Sequence, residues 1–143
     1  MVDYELKKEE LDLELGLQEL DDVFEFVEME TCGIYYGEQE LGNSICNITI
    51  TIDDTCATCI RYSVCKLENM DKRYDIIELL NAINVADALN KAYLDKENTI
   101  IIEFNYYSDE QYFNAETLVE TLVGTYVLIK DIYYKKIMKI MWA

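Results

Sequence analysis

The residues best suited to chemistry lie in the stretch DDTCATCIRYSVC, from Asp53 to Cys65, which holds three of the chain's five cysteines. Its Cys-x-x-Cys pair, Cys56 and Cys59, follows two aspartates, and in a folded loop such a pair can bind zinc or form a redox couple. In a β-strand, however, residues three apart point to opposite faces, and Cys59 and Cys65 would lie about 20 Å apart at 3.3 Å per residue. We therefore interpret these cysteines as small buried side chains of a hairpin strand, not as a metal or disulfide site.

The chain contains no histidine, which excludes several kinds of active site. Ser-His-Asp and Cys-His catalysis are ruled out, as is zinc bound through imidazole. The segment GEQELG is not a phosphate-binding loop, because it lacks the following lysine and places acids where a phosphate would bind. The pair Asp53 and Asp54 lacks the central glycine and the alternating oxygen ligands of a calcium loop. The sequence predicts no enzyme, no catalytic residue, no metal site and no cofactor.

Charge is the strongest feature of the composition, with a net value of -17 over 143 residues. Residues 1–31 carry 12 acids against Lys7 and Lys8, a net of -10, whereas four lysines face one acid from Lys130 onward. Such a field repels nucleic acid and acidic membranes. We therefore expect a protein partner with a basic surface, no direct nucleic-acid binding and no membrane. Because the start of the chain has no apolar core and the cysteine count is odd, we also expect a cytoplasmic location.

The first twenty residues fit two patterns. Leu11, Leu13, Leu15 and Leu17 alternate as in a strand, but the Glu- and Leu-rich composition favours a helix. The helical stripe would consist of Leu6, Leu13, Leu17 and Leu20.

The rest of the chain alternates between strand and helix patterns. VFEFVEM predicts a strand that GIYYGEQ extends or pairs with. SICNITITIDD predicts a second strand, because apolar and polar residues alternate and place Cys46, Ile48, Ile50 and Ile52 on one face. After a turn, ATCIRYSVCKL predicts the next antiparallel strand. NMDKRYDIIELLNAIN predicts a helix capped by Asp71, and residues 91–94 and 99–106 predict a hairpin. A final helix capped by Asn114 would span about 40 Å, which is longer than one sheet requires, so part of it can meet a second chain.

These elements predict a single α+β domain over residues 1–143. Its antiparallel sheet would carry helices packed on one face, in the order α-β-β-β-α-β-β-α with a long C-terminal helix.

Residues 70–142 resemble a known family. The helix IIELLNAIN presents Leu79, Leu80, Asn81, Ile83 and Asn84, and KAYLDKENTIIIEFNYY follows with the turn Tyr93-Leu94-Asp95 before the long helix. This arrangement is similar to the YbjN family, whose domain is similar in fold to the class I type III secretion chaperones. The resemblance implies a non-enzymatic domain that binds other proteins, often as a dimer. It supplies no catalytic residues.

Two residue types remain as candidates for binding. Asn81 and Asn84 lie three apart on one helix face, where they can satisfy backbone groups at the helix end or contact a ligand. Tyrosine is favoured at protein interfaces, and the chain has 12 of them. The candidate partner-binding tyrosines in the second half are Tyr106, Tyr107, Tyr112, Tyr126, Tyr133 and Tyr134.

Two functions are compatible with these observations. In the first, the chain is a chaperone- or adaptor-like domain that binds a partner through its sheet face or a dimer surface. In the second, it is a nucleic-acid mimic of phage or mobile-element type, whose carboxylates block a basic DNA- or RNA-binding host defence protein. The two differ in their expected response to salt, because a mimic should lose affinity as steeply as nucleic acid does.

Overall fold

The computed structural model describes residues 4–108 and 112–143. Within these ranges, six strands form one antiparallel sheet in the order β1-β2-β3-β4-β6-β5. The elements are α1 (Tyr4–Leu17), β1 (Phe24–Glu28), β2 (Gly33–Leu41), β3 (Ser44–Ile52), β4 (Ala57–Lys66), a 3₁₀ turn (Met70–Lys72), α2 (Arg73–Ala86), β5 (Lys91–Leu94), β6 (Thr99–Tyr107), α3 (Ala115–Leu128), a π-helical turn (Ile129–Tyr133) and α4 (Tyr134–Met141).

The α+β class and the long C-terminal helix are confirmed. The first segment is a helix, and GIYYGEQ belongs to a strand of its own, β2, which pairs with β1 along the full length of β1. The run before α2 therefore contains four strands. Alternation along β3 is also as predicted, with Cys46, Ile48, Ile50 and Ile52 buried in one core. Side chains of the helices complete that core, while Tyr36 and Arg61 on the other face of the sheet are exposed.

The predicted stripe of α1 is wrong. Leu13 and Leu17 are 65% and 68% exposed, and the helix instead buries Lys7, Leu11 and Leu15 at a spacing of four residues. A buried lysine was not anticipated, because an isolated charge costs free energy when it leaves water. Here its Nζ donates to Thr55 O at 2.7 Å and to Ala57 O at 3.2 Å, which ties α1 to the turn between β3 and β4. Burial lowers the pKa of Lys7 from its ordinary value.

The predicted cap of α2 is also wrong, whereas that of α3 is confirmed. The capping side chain is that of Asn69, and it caps the 3₁₀ turn that precedes α2. Asp71 N donates to Asn69 Oδ1 at 3.0 Å. At α3, Thr117 N donates to Asn114 Oδ1 at 3.0 Å.

The segment from Ala115 to Met141, called the C-terminal helix below, runs without a break through the π-helical turn. Tyr133 in that turn donates a hydrogen bond of 2.7 Å to Asp87 Oδ2 in the loop before β5. No helix in the described ranges combines the length and apolar character needed to cross a membrane.

Candidate protein-binding site

At the β5 edge of the sheet, a side chain of α2 covers the outward backbone groups of Ala92. Asp95 N donates to Thr99 O at 3.0 Å, and because antiparallel bonds alternate, the backbone groups of Ala92 point away from β6. Asn84 satisfies both groups, accepting from Ala92 N at 2.6 Å and donating to Ala92 O at 2.9 Å. The predicted backbone role of Asn84 therefore exists, but it serves a neighbouring strand and not the end of its own helix. Asn81 is exposed.

Substitution of Asn84 by alanine is expected to lower the free energy of unfolding by about 1–3 kcal/mol, because two backbone groups lose their partner. The uncovered edge should also promote concentration-dependent association. Urea unfolding and light scattering would measure the two effects. Asn81→Ala is the matched control and should change neither by a measurable amount. Equal stability losses in the two variants would contradict the assigned role of Asn84.

At the opposite edge of the sheet, β1 has backbone groups that face outward. Met29 N donates to Cys32 O at 2.8 Å, so alternation makes Val27–Ile34 and Glu25–Tyr36 the hydrogen-bonded pairs with β2. The N–H and C=O groups of Phe24, Phe26 and Glu28 then point away from the sheet. Such a row of outward groups can pair with an added strand.

The surroundings of this edge are strongly acidic. Residues 9–60, which include β1, β2 and β3, contain no lysine or arginine. Five carboxylate side chains in and beside β1 are exposed: Asp21, Asp22, Glu25, Glu28 and Glu30. A segment that pairs with β1 would therefore lie within a mainly negative field, although Lys8 of α1 places its Nζ 4.7 Å from the centre of the Phe26 ring.

A step in the sheet deepens the edge where β1 begins. β1 starts opposite Gly37, whereas β2 continues to Leu41, and a cavity of about 810 Å³ lies at this step. A Cβ at Gly37 would approach the ring of Phe24 to 2.7 Å, so glycine is needed for Phe24 to lie against β2. The cavity is lined by ten residues and includes three carboxylates that suit a lysine or arginine side chain: Asp22, Glu25 and Glu38.

Beyond the cavity, the edge of β2 is partly covered. The Tyr126 hydroxyl of α3 donates to Glu40 O, which is the next outward backbone carbonyl after that of Glu38. The outward backbone from Phe24 to Glu28, together with the cavity, is called the acidic edge below.

The six candidate tyrosines do not form one surface. Three of them lie on the C-terminal helix and donate hydrogen bonds within the chain: Tyr126 to Glu40 O, Tyr133 to Asp87 and Tyr134 to Ser44 Oγ. The Tyr106 hydroxyl accepts from Asn114 N at 3.1 Å. These contacts hold the helix and the preceding loop against the sheet. Tyr107 and Tyr112 are 69% and 70% exposed. An interface role for these tyrosines stays a prediction.

The cysteines are all free thiols, and the prediction that Cys56 is a buried strand residue is wrong, because Cys56 is exposed and precedes β4. The surroundings of Cys59 and Cys65 do not favour nucleophilic chemistry. Cys59 lies on the face of the sheet away from the core, 3.6 Å from Glu103 Oε2, which Arg61 also contacts. Burial, and then the Glu103 charge, raise the pKa of Cys59, while burial raises that of Cys65 to about 11. Thiols of raised pKa are mostly protonated and poorly reactive. Within residues 4–108 and 112–143, no three His, Cys, Asp or Glu side chains are grouped as metal ligands would be.

Comparison with protein-family models, with curated proteins and with solved structures finds no match to this chain. The resemblance to the YbjN family therefore stays a prediction. The sequence analysis did not predict the acidic edge, because the order of strands in a sheet cannot be derived from local sequence patterns. The available signal was the absence of any basic residue over residues 9–60.

Proposed function

We propose that this chain is a non-catalytic protein-interaction domain of chaperone or adaptor type, acting in the cytoplasm on a partner with a basic segment. One contrast carries the proposal. At the short β5 edge, Asn84 covers the outward backbone groups of Ala92, whereas the β1 edge presents outward backbone groups beside carboxylates and a cavity.

An extended basic segment would bind the acidic edge by strand addition. Main-chain hydrogen bonds to Phe24, Phe26 and Glu28 would provide affinity that does not depend on the partner's sequence. A lysine or arginine side chain entering the cavity between Asp22, Glu25 and Glu38 would provide selectivity. The surrounding negative field would speed the encounter with a basic partner.

The Glu28→Pro variant tests this mode directly. Proline removes only an outward N–H, so pairing between β1 and β2 is retained, but an incoming strand loses a donor and meets the ring. We expect affinity for short peptides that alternate apolar residues with lysine to fall at least about tenfold. Fluorescence anisotropy would measure it.

Glu28→Ala is the matched control, because it removes the same carboxylate and the same contact to the Tyr4 hydroxyl but keeps the N–H. Its affinity should fall by less than about threefold, as for one exposed charge pair. Peptides with glutamate in place of lysine should not bind either protein. Equal losses in the proline and alanine variants would exclude strand addition.

A nucleic-acid mimic is the second candidate, favoured by the net charge of -17 and the lack of basic residues over residues 9–60. A mimic would bind a folded nucleic-acid-binding protein through its carboxylates. Its affinity would fall steeply with salt, and Glu28→Pro and Glu28→Ala would lower it equally, because each removes the same single carboxylate. Titrations of both variants at two salt concentrations therefore separate the two functions.

A further inference from the structure

The C-terminal helix has a continuous exposed row along its outer side. The row begins with two acids, passes a glycine, a half-exposed valine and a third acid at its centre, and ends with two lysines: Glu116, Glu120, Gly124, Val127, Asp131, Lys135 and Lys139. The helix as a whole carries three acids and four lysines, a net of +1, in a chain of net -17. Self-repulsion between copies is therefore weakest along this helix.

The charges in the row are placed symmetrically about one point. Glu116 and Lys139 are equally far from the midpoint between residues 127 and 128, and the pairs Glu120 with Lys135 and Gly124 with Asp131 share that midpoint. A twofold axis through this point would set the two acids at the start of one helix beside the two lysines at the end of an antiparallel copy, and Asp131 beside the copy's glycine. It would also place Val127, which is 46% exposed, at the centre of the contact. A parallel pairing would instead set lysine beside lysine.

Gly124 is a second observation that points to a close neighbour. A glycine in a helix interior makes the helix less stable than an alanine at the same position would. Within the described residues, a Cβ added at Gly124 would have no atom within 4 Å apart from its chain neighbours and the backbone of its own helix, so the fold of one chain does not need a glycine there. A residue without a side chain near the centre of the row allows a second helix to approach closely.

We propose that the outer row of the C-terminal helix is the interface of a homodimer, in which a second copy packs antiparallel about the Val127–Leu128 midpoint. The opposed helix dipoles of this arrangement also attract each other. At each end, Trp142, which is 83% exposed, would reach the start of the partner copy's α3. A cavity of about 490 Å³ lies there, lined in part by the exposed side chain of Leu13. The dimer does not depend on the proposed function, because its surface does not include the acidic edge.

Two charge-reversal variants and their mixture test the interface. Lys135→Glu with Lys139→Glu, and separately Glu116→Lys with Glu120→Lys, should each weaken the dimer on the order of a hundredfold, because like charges then face each other. Mixed in equal amounts, the two proteins should form a heterodimer of wild-type affinity, since every facing pair is again opposite in sign. Sedimentation velocity over a wide range of protein concentration would measure all four samples.

The matched control is Lys130→Glu with Lys136→Glu, which makes the same change in net charge on the same helix but off the row. Its dimer should dissociate as wild type does. Gly124→Ala should weaken the dimer at least about tenfold, yet raise the melting temperature of the monomeric Lys135→Glu/Lys139→Glu protein. A wild-type protein that stays monomeric throughout, or a mixture that fails to restore association, would overturn the proposal.

Discussion

Replacing Tyr62 with alanine is expected to lower the free energy of unfolding by about 4 kcal/mol. Tyr62 lies in the central strand β4 and has no exposed surface, with its ring centre 6.5 Å from that of Phe104 on β6. Its hydroxyl donates to Leu122 O of α3 at 2.7 Å, so one side chain joins the sheet to the C-terminal helix. Truncation would leave a large cavity between these layers. Urea unfolding followed by circular dichroism would measure the loss.

Tyr62→Phe separates packing from hydrogen bonding. It keeps the ring and removes only the hydroxyl, so the expected cost is about 1 kcal/mol. The alanine variant should therefore lose several times more stability than the phenylalanine variant. Similar losses would mean that the hydroxyl, and not the packing of the ring, holds the helix on the sheet.

Replacing Asp87 with alanine is expected to cost about 3 kcal/mol at neutral pH, because several donors lose a charged acceptor. The Asp87 carboxylate accepts from the Tyr133 hydroxyl at 2.7 Å, from Asn90 Nδ2 at 2.8 Å, and from the backbone N–H groups of Leu89 and Asn90. Asn90 is buried, so its amide cannot turn to water instead. Guanidinium unfolding of both proteins would measure the difference.

The contribution of Asp87 should depend on pH. Burial raises the pKa of this carboxyl, but the hydrogen bonds from Asn90, Tyr133 and Leu89 outweigh burial, so the net pKa lies below its ordinary value. A lowered pKa in the folded state stabilises the fold above the unfolded-state pKa and loses that effect as pH falls through the folded value. The gap between wild type and Asp87→Ala should therefore narrow below about pH 4. A gap that is constant from neutral to strongly acidic pH would show that Asp87 does not act as a carboxylate.

Periodic patterns in the sequence were reliable where one face of an element is buried. β3 alternates as expected, with its apolar face buried, and the predicted hairpin of residues 91–94 and 99–106 is present as β5 and β6. Asn114 caps α3 because the cap and its partner are three residues apart in the chain. Such features depend on local geometry, which composition and spacing largely specify.

The pattern of α1 misled because the helix has two apolar sides. Leu11 and Leu15 are buried while Leu13 and Leu17 are exposed, and the remaining buried position is taken by Lys7. Only the carbonyls of Thr55 and Ala57, some 50 residues away, make that position acceptable for an ammonium group. No local rule anticipates such a partner.

By itself, the sequence determined the α+β class, most of the helices and strands, the absence of histidine chemistry and the strongly acidic charge. Those properties follow from local periodicity and from counting residues. The tertiary structure decided at which edge of the sheet outward backbone groups are covered, since Asn84 meets Ala92 only once α2 has packed beside β5. It also decided that Glu116, Glu120, Lys135 and Lys139 share one exposed row. Strand order and the outward side of a helix depend on contacts between distant residues, and those contacts form only in the folded chain.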